Sequence, residues 1–194
     1  LEPSFGSALV AGVVEAKYPF VARRRLAYIP ETVMLYGTLS GVENLSYFAE
    51  LSGQRLEEVE LRACLSRAGL APAAHDRPLK SYSKGMRQKV GVAIAIAKRA
   101  DALLLDEPTS GLDPIGAASF DELVMGLQRE LALTIVMITH DLDSIFRTCN
   151  RVGVIVDRKM VSGTLAQITE NPHPWIQSYF HGDRARRFEV SHGA

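Results

Sequence analysis

The sequence predicts an α/β fold: a parallel sheet with helices on both faces, plus a helical subdomain. Two observations support this prediction. Short apolar segments alternate with longer segments of helical periodicity, and the short segments are hydrophobic at consecutive positions. Consecutive hydrophobic positions are typical of strands that are buried on both faces of a parallel sheet. One such segment, residues 102–105, runs directly into the acids Asp106 and Glu107, so a functional site is expected at its end.

The first half of the chain predicts one strand followed by helices. Pro30 ends the strand, because proline has no N–H group to donate to a neighbouring strand. Apolar residues recur at helical spacing in the next two segments, and Gly69 is a typical helix end. The predicted elements are, in order, a strand at 25–29, a loop at 31–37, helices at 42–51 and 56–68, and a connector at 71–78.

The second half predicts alternating helices and strands before a polar tail. Its predicted elements are a helix at 85–98, a strand at 102–105, a helix at 115–130, a strand at 134–138, a helix at 142–149, and a strand pair at 151–156 and 160–162. We expect one domain at 1–170, with a helical subdomain at about 40–98. The tail at 171–194 predicts a short helix and then a loose end.

The composition of the 194 residues indicates a compact protein with balanced charge. Its 22 basic and 22 acidic residues give a formal net charge of zero, which disfavours a bulk electrostatic role with nucleic acid. The arginines at 23–25 lack interleaved aromatic residues, so they predict solvated charge at a strand edge. Cys64 and Cys149 lack metal-site spacing and predict reduced, partly buried thiols. No apolar stretch approaches the roughly 20 residues that a membrane span requires.

The segment from Leu103 to Pro114 carries the strongest functional signal. P-loop ATPases end an apolar strand in two such acids, where the first binds hydrated Mg²⁺ and the second orients the attacking water. A core strand with a charged turn would explain the acids alone, but not the P-T-S-G-L-D-P sequence that includes and follows Pro108. We therefore expect Asp106 to bind Mg²⁺ through water and Glu107 to act as the catalytic base.

Two further motifs flank this segment, S-Y-S-K-G-M-R-Q-K from Ser81 and I-T-H-D from Ile138. Together, in this order and spacing, the three motifs resemble the nucleotide-binding domain of an ABC transporter. The resemblance extends from about Gly6 to about Gly163. It implies a P-loop NTPase-like fold, ATP and Mg²⁺ as cofactors, and ATP hydrolysis coupled to transport.

The resemblance assigns further site residues on the two sides of the acidic strand. Ser83, Lys84 and Gly85 correspond to the signature motif, which contacts nucleotide, and Lys84 stands where the family has glycine. Ser83 precedes a predicted helix, so it is alternatively an ordinary N-cap. Asp113 corresponds to the D-loop aspartate, which crosses the dimer interface in the family.

Two other residues are assigned to the site by the resemblance alone. His140 corresponds to the switch histidine and, like Glu107, is expected to act in catalysis, since its imidazole can donate to a phosphate oxygen. Glu31 stands where the family usually has the Q-loop glutamine. A carboxylate there is either near the metal or serves only as a contact between domains, and both roles stay open.

The phosphate-binding loop of such a domain is missing from the sequence. No Gly-Lys-Ser or Gly-Lys-Thr occurs, so the G-x-x-x-x-G-K-[ST] motif is not present. We expect an N-terminally incomplete domain that lacks its Walker A segment through truncation, gene fusion or, less simply, true loss. The chain alone is therefore expected to be inactive.

The cargo and the subfamily stay open in the sequence. Up to Pro114 the motifs resemble ABC-2-type exporter ATPases, and from Asp113 onward they resemble Mla/Mce-type lipid-transport ATPases. A recombination of two genes is the hypothesis that follows. The cargo is then an exported small molecule or polymer, or a phospholipid.

The expected function is the ATP-hydrolysing subunit of a transporter. Its expected partners are a second ATP-binding domain and separate transmembrane permease subunits, without nucleic acid, and its expected location is peripheral, at the cytoplasmic face of the inner membrane. The alternatives are a soluble ABC-type ATPase of translation or DNA repair, and a non-hydrolysing partner domain. Tandem domains or a long coiled coil would favour the soluble ATPase, and the sequence has neither.

Overall fold

The computed structural model describes residues 5–182. The chain divides into two compact units, Leu1–Ile138 and Thr139–Ala194. The predicted boundary between domain and tail, at residue 170, falls inside the second unit. The predicted irregular end of the tail lies outside the described residues.

The first unit contains a small hairpin, a three-stranded sheet and five α-helices among its described residues. Its elements are β1 Leu9–Val10, β2 Val13–Val14, α1 Pro19–Arg25, β3 Leu26–Ile29, α2 Gly41–Leu51, α3 Glu58–Arg67, α4 Lys84–Ala97, β4 Ala102–Asp106, α5 Pro114–Leu131 and β5 Thr134–Ile138. Short 3₁₀ turns at Pro72–Ala74 and Leu79–Ser81 connect α3 to α4. The hairpin and α1 had no counterpart among the predicted elements. The arginines predicted at a strand edge lie instead in α1, where Arg23 pairs with Glu15.

The three strands form one parallel sheet in the order β3, β4, β5. Tyr28 pairs with Leu104, and Leu104 pairs with Val136 in the next strand. Because all three strands run in the same direction, their carboxyl ends meet at one edge. The parallel sheet and its helices confirm the predicted α/β class.

The two faces of this sheet differ in burial. Ile29, Leu103 and Leu105 are buried in a hydrophobic core that also contains residues of α2, α3, α4 and α5. On the other face, Tyr28 is 54% exposed and Val136 is 53% exposed. The predicted burial of every strand residue therefore holds for one face, and the described helices leave part of the second face open to solvent.

The helices of the predicted subdomain begin at capping residues that the sequence contains. Ser40 and Glu43 form a reciprocal capping box at α2, in which each side chain accepts a hydrogen bond from the other's backbone N–H. The pKa of the Glu43 carboxyl is lowered by the hydrogen bond from the Ser40 backbone N–H and, to a smaller extent, by the Ser40 side chain. The helix predicted from Leu56 begins two residues later, at Glu58, because Glu57 and Glu60 make the cap there.

Helix α4 packs closely on strand β3. A methyl group built on Gly91 would lie 3.2 Å from Ile29 Cγ2, so glycine allows the helix to approach the strand. At the other end of α4, the Lys98 ammonium donates to the Leu26 carbonyl at 2.6 Å. Burial lowers the pKa of Lys98.

The second unit has its own hydrophobic core. Its described elements are α6 Leu142–Thr148, β6 Arg151–Val156, β7 Lys159–Thr164, α7 Leu165–Thr169 and α8 Pro174–His181. The buried side chains of this core are Ile145, Val156, Ile168, Ile176 and Phe180. The predicted strand pair and the short helix of the tail are confirmed. The predicted three-residue turn consists of two residues, Asp157 and Arg158, both with positive φ.

Both cysteines are free thiols of intermediate exposure, as predicted. Burial raises the pKa of the Cys64 thiol. Among residues 5–182, every helix is too short or too polar to span a membrane.

Candidate functional site

Asp106 is the last residue of β4, at the carboxyl edge of the sheet where α/β proteins bind their ligands. The Tyr28 hydroxyl, from the neighbouring strand β3, donates to Asp106 Oδ2 at 3.0 Å. This hydrogen bond is the main reason why the pKa of the Tyr28 phenol is raised; burial and the carboxylate charge add smaller effects. Tyr28 was not among the predicted site residues, because its closeness to Asp106 follows only from the strand register. In that register Tyr28 of β3 pairs with Leu104, two residues before Asp106.

Glu107 has an unusual backbone conformation directly after the strand. Its φ is +45°, in the left-handed region that non-glycine residues rarely adopt. The backbone holds it there: Glu107 N–H donates to the Ile138 carbonyl at 2.8 Å, and Ser110 N–H donates to the Glu107 carbonyl at 3.1 Å. Such conformations cost on the order of 1–3 kcal/mol and are concentrated at functional sites. The position of Glu107 is thus fixed at the ends of β4 and β5.

Glu31 lies in the loop after β3 and contacts two other segments of the same unit. Its Oε1 accepts a hydrogen bond from Ser110 Oγ at 2.8 Å and pairs with Lys84 Nζ at 3.4 Å. In the described part of the chain, no cluster of three or more acid, histidine or cysteine side chains could hold a metal. A metal role of Glu31 beside Asp106 stays a prediction. The observed contacts of Glu31 are to the signature segment, residues 83–85, and to the D-loop segment, residues 110–113.

The predicted signature residues lie at the start of helix α4. Ser83 is its N-cap, with Oγ accepting from the Met86 N–H at 3.3 Å. The N-cap interpretation is thus confirmed, while the nucleotide-binding role of Ser83, Lys84 and Gly85 stays a prediction. A methyl group on Gly85 would lie 3.5 Å from Leu112 Cδ2, so this segment lies against the loop after β4.

Asp113 is the N-cap of α5, with Oδ1 accepting from the Gly116 N–H at 2.9 Å. Pro114 follows as the first helical residue, a position that suits proline because its missing N–H would have no helical partner. The cap fixes the end of the loop that carries Ser110. A role of Asp113 across a dimer interface stays a prediction.

His140 belongs to the second unit, whereas the other predicted site residues belong to the first. Its backbone carbonyl accepts a hydrogen bond from the Tyr179 hydroxyl at 2.9 Å. Asp141, the next residue, caps α6 and accepts from the Asp143 N–H at 3.0 Å. The start of the second unit, with His140, is therefore anchored by both α6 and α8.

Comparison with known proteins identifies the family. A family model described as "ABC transporter" matches residues 13–110. The methionine import ATP-binding protein MetN of Xanthomonas euvesicatoria pv. vesicatoria (strain 85-10) is 36% identical over 178 residues, covering 88% of this chain and 53% of that protein. The chain therefore belongs to the ABC transporter family.

Two solved structures share the fold. The structure of cbiO1 from Clostridium perfringens, described as part of the ABC transporter complex cbiONQ, has a TM-score of 0.77. It is 23% identical and aligns with 100% of this chain and 75% of that chain. The dimeric, post-hydrolysis ATP-binding cassette MJ0796, bound to ADP and Pi, has a TM-score of 0.71. It is 20% identical and aligns with 84% of this chain and 75% of that chain. The chain spans about half the length of the curated relatives it matches.

The chemistry of the described side chains fits part of a magnesium–nucleotide site. Asp106 supplies a carboxylate at a strand end, and the start of the 14-residue helix α4 supplies a hydroxyl and backbone amides. Helix N-termini favour phosphate oxygens, and carboxylates are typical ligands of hydrated Mg²⁺. The sequence contains no G-x-x-x-x-G-K-[ST] motif, the loop that would surround the β- and γ-phosphates.

Proposed function

We propose that this chain is the ATP-binding and hydrolysing part of an ABC transporter, which powers transport through separate membrane subunits. The observation that supports this best is the pair Asp106 and Glu107 at the carboxyl end of β4. Both are fixed there, Asp106 by Tyr28 and Glu107 by Ile138. A strand end with two positioned acids suits a metal-bound phosphate and its attacking water.

Asp106 and Glu107 have distinct roles in this proposal. Asp106 holds the hydrated Mg²⁺ that, when bound, neutralises phosphate charge. Glu107 accepts a proton from the attacking water, or polarises it. His140 donates to a phosphate oxygen.

In this proposal the signature segment contacts the nucleotide that is bound to a second ATP-binding domain. Ser83 and Gly85 are at the start of α4, and Asp113 ends the loop that lies against them. The MJ0796 cassette is a dimer bound to ADP and Pi, which supports a second ATP-binding domain as the partner of this surface. The chain would then complete a site on its partner, and alone it would not hydrolyse ATP.

The membrane partners of this proposal are permease subunits. The structurally similar cbiO1 is part of the complex cbiONQ, and MetN is named as an import ATP-binding protein. These descriptions support a peripheral position on the cytoplasmic face of a membrane. Two ATP-binding domains would close around ATP. This closure would move the permease, because one conformation of the permease binds the closed domains more tightly than the other does.

The proposed inactivity of the chain alone is tested first by calorimetric titration of the purified chain with Mg²⁺–ATP. No heat of binding up to millimolar nucleotide is expected. Tight, Mg²⁺-dependent binding would mean an unrecognised phosphate site and would overturn the proposed inactivity of the chain alone.

Hydrolysis is tested in the complex with a second ATP-binding domain and the permease. With a phosphate-binding loop supplied ahead of this chain, we expect Glu107→Gln to lower kcat at this chain's own site by about 10²–10⁴-fold, the usual contribution of a general base. Glu122→Gln, an exposed carboxylate on α5, is the matched control and should leave kcat unchanged. Equal rates for both variants would contradict the role of Glu107.

A further inference from the structure

One carboxylate oxygen joins three segments that are distant in sequence. Glu31 Oε1, in the loop after β3, accepts from Ser110 Oγ at 2.8 Å and pairs with Lys84 Nζ at 3.4 Å. Lys84 is the first residue of α4, and Ser110 is in the loop after β4. The side chains of Lys84 and Glu31 are 36% and 50% exposed. The link is therefore at the surface, where it is accessible to a partner.

A second contact holds the backbone of Glu31 to the same helix. The Gln88 amide donates from Nε2 to the Glu31 carbonyl at 3.1 Å. Gln88 is fully buried, and its Oε1 has no hydrogen-bond partner within residues 5–182. Burying an amide oxygen without a partner is unfavourable. The helix tolerates this cost while it fixes the loop of Glu31, which indicates that the position of that loop matters.

The start of α4 and the loop after β4 also contact each other directly. A methyl group built on Gly111 would lie 3.6 Å from Lys84 Nζ, so the lysine side chain lies along the loop that carries Ser110. Gly111 has a φ of +67°, which glycine adopts without strain. The loop can thus turn closely around the lysine.

We propose that Glu31 is a positioning residue that holds the signature segment and the D-loop segment of this chain together as one surface. The inference deepens the proposed function, in which both segments face the nucleotide of the partner domain. Glu31 and Lys84 both depart from the family residues, and their ion pair explains both departures. A charged carboxylate at 31 gives Lys84 a partner that a glutamine would not supply.

The link is tested by hydrogen–deuterium exchange on the full chain without nucleotide. We expect Glu31→Gln to raise exchange of residues 83–87 and 109–113 about two- to five-fold, the range for an exposed ion pair. Lys84→Met should have a similar effect, and the double variant should exchange no faster than the faster single variant. High salt should raise exchange in these segments of the unmodified chain and not in Glu31→Gln, because salt screens the pair.

Controls separate this positioning role from general destabilisation. Glu122→Gln removes an exposed carboxylate on α5 and should leave exchange of both segments unchanged. Amides of β4 and α4 beyond its first turn should keep their protection in every variant. Unchanged exchange at 83–87 and 109–113 in Glu31→Gln, or additive effects of the two single variants, would overturn the proposal. If Glu31→Gln exchanges faster throughout, Ser110→Ala provides the same test at the second contact.

A functional readout distinguishes this inference from the function on which it rests. In the complex with a second ATP-binding domain, Glu31→Gln should lower kcat more than it changes KM for ATP, since a misplaced surface impairs closure. An exchange effect in a complex that hydrolyses no ATP would leave the link standing and overturn only the proposed function. Hydrolysis with unchanged kcat in Glu31→Gln would overturn the positioning role.

Discussion

Two glycines in helices differ in what surrounds them, although the sequence presents both as helix-weakening residues. Gly91 in α4 is packed against Ile29, whereas a methyl group built on Gly126 in α5 would have no atom within 4 Å. We expect Gly91→Ala to destabilise the protein by about 1–3 kcal/mol, through overpacking against the strand. Gly126→Ala should stabilise it by roughly 0.5–1 kcal/mol, because alanine loses less entropy in a helix. Thermal unfolding of both variants checks the opposite signs.

Only some of the site residues could be predicted from residue type and motif alone. The acids Asp106 and Glu107 could be predicted because they follow an apolar strand in a specific motif. Tyr28 could not, since its contact with Asp106 requires the pairing of β3 with β4. The contact of Glu31 with Ser110 likewise depends on two loops meeting at one sheet edge. The sequence thus showed which residue types could form the site, whereas the contacts between them could be known only from the fold.

The capping box of α2 should make this element sensitive to acid. The hydrogen bonds to Glu43 lower its folded-state pKa, so their stabilisation is present above the unfolded value of 4.5 and is lost as pH falls through the folded value. Glu43→Gln keeps an acceptor for the Ser40 N–H but removes the charge. We expect this variant to be less stable than the unmodified chain at pH 7 and to lose that deficit near pH 3. Thermal midpoints at both pH values test this, and an unchanged difference would contradict it.

The turn of the β6–β7 hairpin contains a residue in an unfavourable conformation. Arg158 has a φ of +62°, which costs a non-glycine residue about 1 kcal/mol or more. We expect Arg158→Gly to stabilise the hairpin by about that amount and to slow amide exchange in β6 and β7. Lys159→Gly, at an extended position in β7, is the control and should destabilise it. Faster exchange in Arg158→Gly would contradict the prediction.

Element bounds were predictable where local signals were strong. Caps and apolar periodicity predicted α2, α4, α5 and β5 to within two residues. The hairpin β1–β2 was missed because its two-residue strands carry no periodic pattern. The order of the strands in the sheet could not be read, because pairing is decided by packing between distant segments.

The open sheet face is a property of the whole first unit. Tyr28, Val136 and Ile138 are each more than half exposed, and they lie on the face opposite the buried core. Contiguous apolar surface of this kind promotes association. We expect Val136→Thr to reduce concentration-dependent light scattering while it leaves the circular dichroism spectrum unchanged. Ile135→Thr, on the buried face, is the control and should lower stability without reducing scattering.

The spacing of the three parallel strands along the chain also sets an order for folding. Residues 107–133 separate β4 from β5, whereas residues 30–101 separate β3 from β4. Closing the longer loop costs roughly 1 kcal/mol more in chain entropy. Pairing of β4 with β5 through α5 should therefore precede the docking of β3. Glu107 would be fixed early by the Ile138 carbonyl, whereas Asp106 would gain its contact with Tyr28, and Glu31 would join the site, only in the final stage of folding.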